Sequence, residues 1–316
     1  MLVVMVVLLP LAAVACLAPQ VNSAEALLLG VVLALVGGNP WLSRTKAMTS
    51  TLLAVSVVGL GAGMNLVQVG SVGATGIGYT VVSIGFTLLV GSLLGRLVRT
   101  HPDTSLLITV GTAICGGSAI AAVAPAIRAR DEDVSVSLGT VFVLNAVALL
   151  LFPFVGHQLG LTETQFGMWS ALAIHDTSSV VGATLQYGRT ALQVGTTIKL
   201  ARALWIVPVT LAMASLYAQR AEGSADGRPP ARRPWFILGF IVMSATMTWL
   251  PALQPAGHVI DAAAKRLLVV TLFLIGANMT RSTIRRVGVR PFAQGVLLWL
   301  LVASATLGAI ELGWIR

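Results

Sequence analysis

Long apolar stretches alternate with short polar or basic clusters along nearly the whole chain. A helix needs about 20 predominantly apolar residues to cross a bilayer, and the pattern predicts a polytopic membrane protein. The fold class is therefore all-α, with about 11 transmembrane helices. The predicted segments are 2–18, 25–37, 45–63, 74–98, 104–127, 134–154, 165–187, 192–218, 235–252, 261–280 and 290–312.

Two of these segments are interrupted by small and polar residues near their middle. The first break is Gly116-Gly117-Ser118, and the second is His175-Asp176-Thr177-Ser178-Ser179. Because every backbone group in hydrocarbon needs a hydrogen-bond partner, helix-weakening residues at mid-depth indicate a protein-lined site. Discontinuous helices of this kind are typical of the binding sites of secondary transporters.

Composition agrees with a membrane protein and excludes several other classes. Of 316 residues, 56% are hydrophobic and 10% are charged, whereas soluble domains have about 25% charged residues. The net charge of +9 lies in short clusters between apolar segments, so no nucleic-acid partner is expected. The two cysteines, Cys16 and Cys115, lie in apolar segments without metal-ligand spacing. No cofactor and no metal is expected.

The basic clusters predict the orientation, because cytoplasmic loops are rich in Lys and Arg. With eleven crossings, one side holds Arg128, Arg130, Arg189, Lys265, Arg266 and Arg316. The other side holds twelve and is predicted to be cytoplasmic: Arg44, Lys46, Arg96, Arg99, Arg220, Arg228, Arg232, Arg233, Arg281, Arg285, Arg286 and Arg290. The N-terminus is then cytoplasmic and the C-terminus external, in a bacterial-type inner membrane. Residues 2–18 lack the basic start of a signal peptide, so a retained helix is favoured over a cleaved one.

The chain divides most simply into an extra N-terminal helix, residues 1–24, and two five-helix repeats. These repeats are 25–154 and 155–316, and the second contains a polar cytoplasmic linker at 219–234. This division pairs the helix 104–127 with 261–280.

A short sequence similarity with an offset of sixty residues, called the sixty-residue echo below, relates 118–122 to 178–182. If both broken segments cross the membrane with one helix between them, they run in the same direction, whereas inverted repeats need opposite directions. The echo is therefore interpreted as a shared local way of exposing backbone.

The first break predicts an anion site. Gly116, Gly117 and Ser118 precede a half-helix whose free N–H groups and positive dipole end would lie near mid-membrane. The alternative is close helix packing through small residues. The half-helix after the second break offers Thr177, Ser178 and Ser179 in the same way.

Asp176 is the deepest acidic residue of the predicted spans, so it is the leading candidate for proton or ion coupling. The alternative is a cap that accepts N–H bonds near Ser178 and Ser179. His175 is a candidate proton relay or substrate donor, and the alternative is an interior histidine with its hydrogen bonds satisfied.

Lys199 and Arg202 are three residues apart and share a helix face. They are candidates for attracting the anion or for pairing with Asp176, and the alternative is snorkelling to the interface. Asn145, in the helix after the first break, is a further candidate because it can face that break. The alternative for Asn145 is a simple tie between helices.

Residues 111–125, Gly-Thr-Ala-Ile-Cys-Gly-Gly-Ser-Ala-Ile-Ala-Ala-Val-Ala-Pro, resemble a signature of the sulfate exporter family of YeiH-type membrane proteins. Residues 174–183 are similar to that family's second signature, and Lys199-Leu200-Ala201-Arg202 resembles its following charged helix. The resemblance spans most of the chain. That family is similar to the superfamily of cation/proton antiporters and bile-acid symporters.

The resemblance implies two five-helix inverted repeats, discontinuous helices that cross in a core domain, and elevator-like movement against a scaffold. The chain departs from the antiporter pattern after Asn145, where Ala146 stands in place of the usual cation-binding acid. A plain sodium/proton exchanger is therefore disfavoured.

The function predicted from these features is secondary active transport of a small anion, possible substrates being sulfate and organosulfur anions. The expected partners are the anion, the lipid bilayer, a proton or cation co-substrate and, by fold-level analogy, a second copy of the chain. An enzyme is not expected. Two alternatives stay open: an intramembrane serine hydrolase using Ser118 and His175, and a membrane sensor that does not transport.

Overall fold

The computed structural model describes residues 2–217, 235–285 and 288–315, and these residues form helices without a β-strand. The all-α prediction is therefore confirmed for the described part of the chain. The helices are α1 (Leu2–Ala15), α2 (Ser23–Gly37), α3 (Leu42–Leu60), α4 (Leu66–Val98), α5 (Pro102–Ala113), α6 (Gly117–Ala126), α7 (Asp131–Gln158), α8 (Glu163–Ala173), α9 (Thr177–Tyr187), α10 (Arg189–Ala203), α11 (Ile206–Leu216), α12 (Trp235–Trp249), α13 (Gln254–Ala277), α14 (Arg281–Arg285) and α15 (Val289–Glu311).

Five helical stretches in the described residues are long and apolar enough to cross a membrane. They are Leu42–Gly63, Gly78–Val98, Glu132–Gln158, Arg189–Leu216 and Val289–Glu311. The last four correspond to α4, α7, α10 with α11, and α15. Neither segment with a predicted polar break is among them. Each break divides its segment into two helices of 10 to 12 residues.

The first broken segment is a hairpin that folds back on itself. α5 ends at Ala113 and α6 begins at Gly117, and a Cβ atom on Gly111 would lie 3.0 Å from Cδ1 of Ile120. At the open end, the Thr104 hydroxyl donates to Asp133 Oδ1 at 2.5 Å. A straight helix from α5 through α6 would separate these ends by more than 30 Å, so α6 must return beside α5.

The second broken segment folds back in the same way. Glu163, the first residue of α8, accepts the backbone N–H of Thr190 at 2.6 Å. Tyr187, the last residue of α9, donates its hydroxyl to the carbonyl oxygen of Leu161 at 2.7 Å and stacks on Phe166 with ring centroids 3.7 Å apart. The start of α8 and the end of α9 therefore lie side by side.

These hairpins correct the prediction that 104–127 and 165–187 each cross the bilayer. Helices of 10 to 12 residues are about 15–18 Å long, which is roughly half the hydrocarbon thickness. Each hairpin therefore returns to the face of the molecule from which it starts, and its length suits a reversal near the middle of a bilayer. Two fewer crossings still leave an odd number, so the two termini are still predicted to lie on opposite faces.

The two hairpins have their open ends on opposite faces of the molecule. The N-terminal face is defined here by the start of α1 and the end of α2, which meet where the Trp41 indole donates to the Val6 carbonyl oxygen at 3.3 Å. The C-terminal face is defined by the loop between α1 and α2, where the Ala18 carbonyl oxygen accepts a hydrogen bond at 3.1 Å from Arg266, midway along α13.

The contacts of each hairpin assign it to one of these faces. At the start of α15, which follows the end of α13, Gln294 donates to the Gly91 carbonyl oxygen at 3.2 Å and to the Ser105 hydroxyl at 2.8 Å. The α5–α6 hairpin therefore opens on the N-terminal face. Gly188 and Arg189 share a cavity wall with Asp261 of α13, so the α8–α9 hairpin opens on the C-terminal face.

This arrangement changes the meaning of the sixty-residue echo. Each hairpin is followed by a long helical stretch, α7 after the first and α10 with α11 after the second, and the two units enter from opposite faces. The comparison of directions applies to segments that cross the membrane, and the described residues form hairpins instead. The five-plus-five division stays a prediction, although α13 is continuous to Ala277 whereas its proposed partner reverses at residues 114–116. The linker at 219–234 lies outside the described residues.

Close helix contacts hold the remaining helices in place. A Cβ atom on Gly30 of α2 would collide with the Phe273 carbonyl oxygen of α13, and one on Gly276 would collide with the Leu27 carbonyl oxygen. Small residues allow this approach in lipid, where helices associate by packing rather than by apolar burial. The helix predicted at 192–218 also ends and restarts at Leu204 and Trp205, between α10 and α11, which the sequence analysis did not predict.

Candidate functional site

The tips of the two hairpins touch at the centre of the molecule. Gly116 has φ of 65°, a left-handed conformation that favours glycine. A Cβ atom at this position would lie 3.2 Å from Cβ of Asp176 and 3.4 Å from its backbone nitrogen. The two predicted breaks, sixty residues apart in the chain, therefore form one site.

The amino end of α6 is open at this tip. Gly116 is its N-cap residue and provides no side-chain hydrogen bond. Gly117 is partly exposed and Ser118 is exposed, so the first turn of α6 faces accessible space. The first N–H groups of a helix have no partner within it and form its positive dipole end. The first turn of α6 therefore presents backbone N–H donors to accessible space.

The amino end of α9 is closed by its own cap. The Asp176 carboxylate accepts the backbone N–H of Ser179 at 2.7 Å and the Ser178 hydroxyl at 2.9 Å. Thr177, Ser178 and Ser179 are buried, whereas Asp176 is partly exposed. The interpretation of Asp176 as a helix cap is confirmed. An anion near Ser178 would meet this carboxylate first, so the two half-helices are not equivalent.

Arg202 connects the carboxyl end of α5 with that of α8, the first helix of each hairpin. Its side chain is fully buried, and its guanidinium donates to Ala171 O at 3.0 Å and Leu172 O at 2.7 Å in α8. The other terminal nitrogen donates to Ala113 O in α5. The last carbonyl groups of a helix lack partners and form its negative dipole end. Arg202 satisfies two such ends at once.

Lys199 serves the same hairpin tip as Arg202. It is also fully buried, and its ammonium group donates to Ile174 O at 2.6 Å and to Ala171 O at 3.4 Å. The two cations therefore share a helix face, as predicted, but donate to carbonyl oxygens rather than pairing with Asp176. Snorkelling is excluded by their burial. Their positive charge lies behind the tips, so any effect on a bound anion acts at longer range.

His175 and Asn145 form a buried pair beside the contact between the tips. Asn145 Oδ1 accepts the backbone N–H of His175 at 3.2 Å and lies 3.2 Å from the ring Nδ1. Because this oxygen already accepts the backbone proton, the ring must donate from Nδ1, which leaves Nε2 as the basic nitrogen of the neutral ring.

Two nitrogens of this pair have no protein partner among the described residues: His175 Nε2 and Asn145 Nδ2 are both buried and unsatisfied. Buried polar groups are normally paired with protein or water, so these two nitrogens mark a polar interior. Asn145 was predicted to face the first break, and its hydrogen bonds in the structure are with His175 of the second break.

Three further buried hydroxyl groups were not predicted from the sequence. Ser170 in α8 and Thr196 and Thr197 in α10 have buried hydroxyl oxygens without a protein partner among the described residues. Ser170 lies on α8, whose carboxyl end accepts hydrogen bonds from Lys199 and Arg202, and the two threonines lie on α10, which carries both cations. Single hydroxyl residues are common in membrane helices, so their spacing alone provided no signal.

The hydrolase alternative receives no geometric support. The His175 ring is hydrogen-bonded to Asn145, and it is fully buried, whereas Ser118 is exposed on α6. A nucleophile and its base need to lie within hydrogen-bond reach of each other, and no such bond joins them in the part of the chain that the structure describes.

Apolar helices, tip-to-tip hairpins and a buried polar centre define a multi-pass membrane protein. Residues 1–295 match the family model described as conserved hypothetical protein 698, and the chain belongs to this family.

Its relatives include UPF0324 membrane proteins of three bacteria. That of Bdellovibrio bacteriovorus is 63% identical over 309 residues, covering 97% of this chain and 94% of the relative. That of Geobacter sulfurreducens is 50% identical, covering 95% and 94%, and that of Vibrio parahaemolyticus is 45% identical, covering 96% and 97%. No solved structure matches the chain.

Proposed function

We propose that this protein is a secondary active transporter of a small anion, and that the anion binds at the open amino end of α6. The observation that carries the proposal is the meeting of two re-entrant hairpins from opposite faces at an uncapped helix amino end. Half-helix termini near mid-membrane are where secondary transporters bind charged substrates. The substrate class favoured by the resemblance to the sulfate exporter family is sulfate or an organosulfur anion.

The binding groups would be the backbone N–H groups of Gly117 and Ser118, together with the Ser118 hydroxyl. Both residues border accessible space, and neutral donors at a helix amino end bind oxyanions without a fixed cation. Lys199 and Arg202 would contribute a positive field from behind the tips. Thr177, Ser178 and Ser179 would support the site by fixing Asp176 rather than by contacting the anion.

Asp176 would couple the anion to a proton. Its backbone and Cβ lie against Gly116, so an ionised carboxylate would repel an anion bound at the next residue. Protonation of Asp176 would remove this repulsion, and by linkage the bound anion would favour the protonated carboxyl to the same extent. His175, with its unsatisfied Nε2, is the proposed next carrier of the proton.

Because the two hairpins open on opposite faces, the site at their tips could be reached from either side of the membrane. Movement of one hairpin and its following helix relative to the rest would expose the tip contact first to one face and then to the other. Elevator-like movement and a homodimer are the expectations from the resemblance, and both belong to the proposal.

The inner membrane, with the N-terminal face in the cytoplasm, is the proposed location. The hairpin topology moves Arg128 and Arg130 from the predicted external side to the N-terminal face. Added to the twelve basic residues already assigned there, they make fourteen, and four remain opposite: Arg189, Lys265, Arg266 and Arg316. The hairpin topology therefore satisfies the positive-inside rule better than eleven crossings do.

Flux of radiolabelled sulfate into proteoliposomes tests the proposal, using two substitutions at Ser118. Ser118→Asp places a fixed negative charge in the first turn of α6, which stabilises a helix by about 0.3–1 kcal/mol but competes with an anion. The expected result is lost flux with an unchanged or raised melting temperature. Ser118→Asn is the neutral control and should keep most of the flux.

Undiminished flux in Ser118→Asp would place the anion elsewhere. Binding of sulfate without flux in the unsubstituted protein would instead favour the sensor. Sulfite and small organosulfonates, assayed in parallel, would define the substrate class.

A further inference from the structure

A cavity of about 320 Å³ lies at the N-terminal face, beside the carboxyl ends of α2 and α13. It is distant in sequence from both hairpin tips, and the proposed transport cycle does not use it. One wall is apolar and belongs to α2, whereas the other is polar and belongs to the residues around the end of α13. The residues that matter are Leu35, Val36, Asn39, Thr280, Arg281 and Ser282.

Asn39 lies between the two walls of the cavity and connects them. Its side-chain nitrogen donates to the Ala277 carbonyl oxygen at 2.9 Å and to the Thr45 hydroxyl at 3.0 Å, and its side-chain oxygen accepts the Trp41 N–H at 2.9 Å. These bonds tie the loop after α2 to the end of α13. Because Asn39 is satisfied in this way, its role is to hold the walls together.

Arg281 and two hydroxyl residues form the polar wall. Arg281 Nε donates to the Leu35 carbonyl oxygen at 2.6 Å, which holds the exposed guanidinium across the end of α2. The hydroxyl oxygens of Thr280 and Ser282 lie 2.9 Å apart. A guanidinium flanked by hydroxyl groups is suited to phosphate, because arginine donors match the geometry of phosphate oxygens.

Residues beside the cavity are of the kind that is enriched at a membrane interface. Trp41, which directly precedes the lining residue Leu42, is an aromatic residue of the kind enriched at headgroup level. The guanidinium of Arg44 lies 5.0 Å from the centre of its ring. Cations at this level on a cytoplasmic face attract anionic lipid headgroups.

The apolar wall continues into a surface suited to acyl chains. Val36 is 52% exposed and Val32, one turn earlier on α2, is 53% exposed. Both belong to an apolar helix of a membrane protein, so their exposed sides face lipid. A molecule with a phosphate group in the cavity and hydrocarbon along α2 would satisfy both walls at once.

We infer that this cavity binds an anionic phospholipid, with the headgroup phosphate on Arg281 and the hydroxyl groups of Thr280 and Ser282. Free inorganic phosphate shares the headgroup chemistry but not the hydrocarbon. The site therefore selects a lipid over a soluble phosphate, and its occupancy does not depend on the transport proposal.

Thermal stability of the full chain in a mild detergent tests the inference. Dioleoyl phosphatidylglycerol is titrated against the protein, with dioleoyl phosphatidylcholine and inorganic phosphate as parallel arms. Phosphatidylglycerol is expected to raise the melting temperature saturably, while the other two do not. Arg281→Gln should weaken the apparent affinity about fivefold, the effect of removing one cation near an anionic headgroup.

Arg285→Gln removes the same charge one helical turn away, outside the cavity lining, and should weaken the apparent affinity clearly less than Arg281→Gln does. Ser282→Glu provides a second, independent variant, because the exposed Ser282 tolerates substitution and a carboxylate there repels phosphate. Its neutral control is Ser282→Gln. Equal losses in Arg281→Gln and Arg285→Gln, or unaltered binding in Ser282→Glu, would overturn the site. Equal stabilisation by inorganic phosphate would overturn the lipid as its occupant.

Discussion

Gly116 and Asp176 lie against each other at the tips of two hairpins that enter from opposite faces, with 3.2 Å between a Cβ atom built on Gly116 and Cβ of Asp176. This contact places the open amino end of α6 beside the carboxylate that caps α9. In the proposed function, binding of an anion at α6 and ionisation of Asp176 would compete for one small region. The contact brings two sequence motifs that are sixty residues apart into one place.

The hairpin topology is tested by the sidedness of chemical labelling. Single cysteines at His101 and Glu132 should both react from the N-terminal face, because the first hairpin begins and ends there. Cysteines at Gln158 and Thr190 should both react from the opposite face. Eleven crossings predict that His101 and Glu132 react from different sides, and likewise Gln158 and Thr190. A membrane-impermeant maleimide on right-side-out and inverted vesicles distinguishes the two topologies, and the buried native cysteines can be left in place.

Replacing Gly116 with alanine should destabilise the protein by about 1–3 kcal/mol, because the residue has a left-handed conformation and its Cβ would crowd Asp176. Anion flux should fall as well, since the tips can no longer meet. Gly85→Ala in α4 is the matched control, because a Cβ atom there has no neighbour within 4 Å. That variant should be neutral or more stable by up to about 1 kcal/mol. Equal melting temperatures for both variants would show that the tip contact is not tight.

Arg202→Met should destabilise the protein by about 3 kcal/mol or more. It leaves the buried carbonyl oxygens of Ala113, Ala171 and Leu172 without this donor, and each unsatisfied polar group costs about 1–3 kcal/mol. Arg202→Lys keeps the charge but lacks the planar fork that reaches both hairpins, so an intermediate loss is expected. The exposed Arg189, at the start of the same helix, is the control. Arg189→Met with a similar loss would argue against a special role for Arg202.

Asp176→Asn should separate helix capping from proton coupling. The amide oxygen can still accept the Ser179 N–H, so stability should change little. In the unsubstituted protein, anion flux should rise as the pH falls, because protonation of Asp176 removes repulsion at the neighbouring anion site. This dependence should flatten in Asp176→Asn, because the amide has no carboxyl group to protonate.

Glu25→Gln is the control for that measurement, because it neutralises a carboxylate in the capping box of α2 while keeping an acceptor. Its pH profile should match that of the unsubstituted protein. Unchanged flux and an unchanged pH profile in Asp176→Asn would exclude Asp176 as the coupling group.

Much of the candidate site could be predicted from the sequence, because its chemistry is local. Asp176 caps the helix that starts one residue later, and Gly116 ends one helix before another begins, so both roles depend on near neighbours. The roles of Lys199 and Arg202 could not be predicted in the same way. Their partners are carbonyl oxygens 25 to 89 residues away, and any backbone oxygen is chemically an equal candidate before the chain is folded.

Local apolarity and helix propensity are enough to establish an all-α membrane protein and the positions of its two central helix breaks. That the broken segments turn back instead of crossing depends on the folded structure. Two half-helices of 10 to 12 residues have the same hydropathy whether the second continues the first across the membrane or turns back beside it as a hairpin. The choice depends on contacts between distant residues, such as Thr104 with Asp133 and Glu163 with Thr190, and these contacts exist only once the chain has folded.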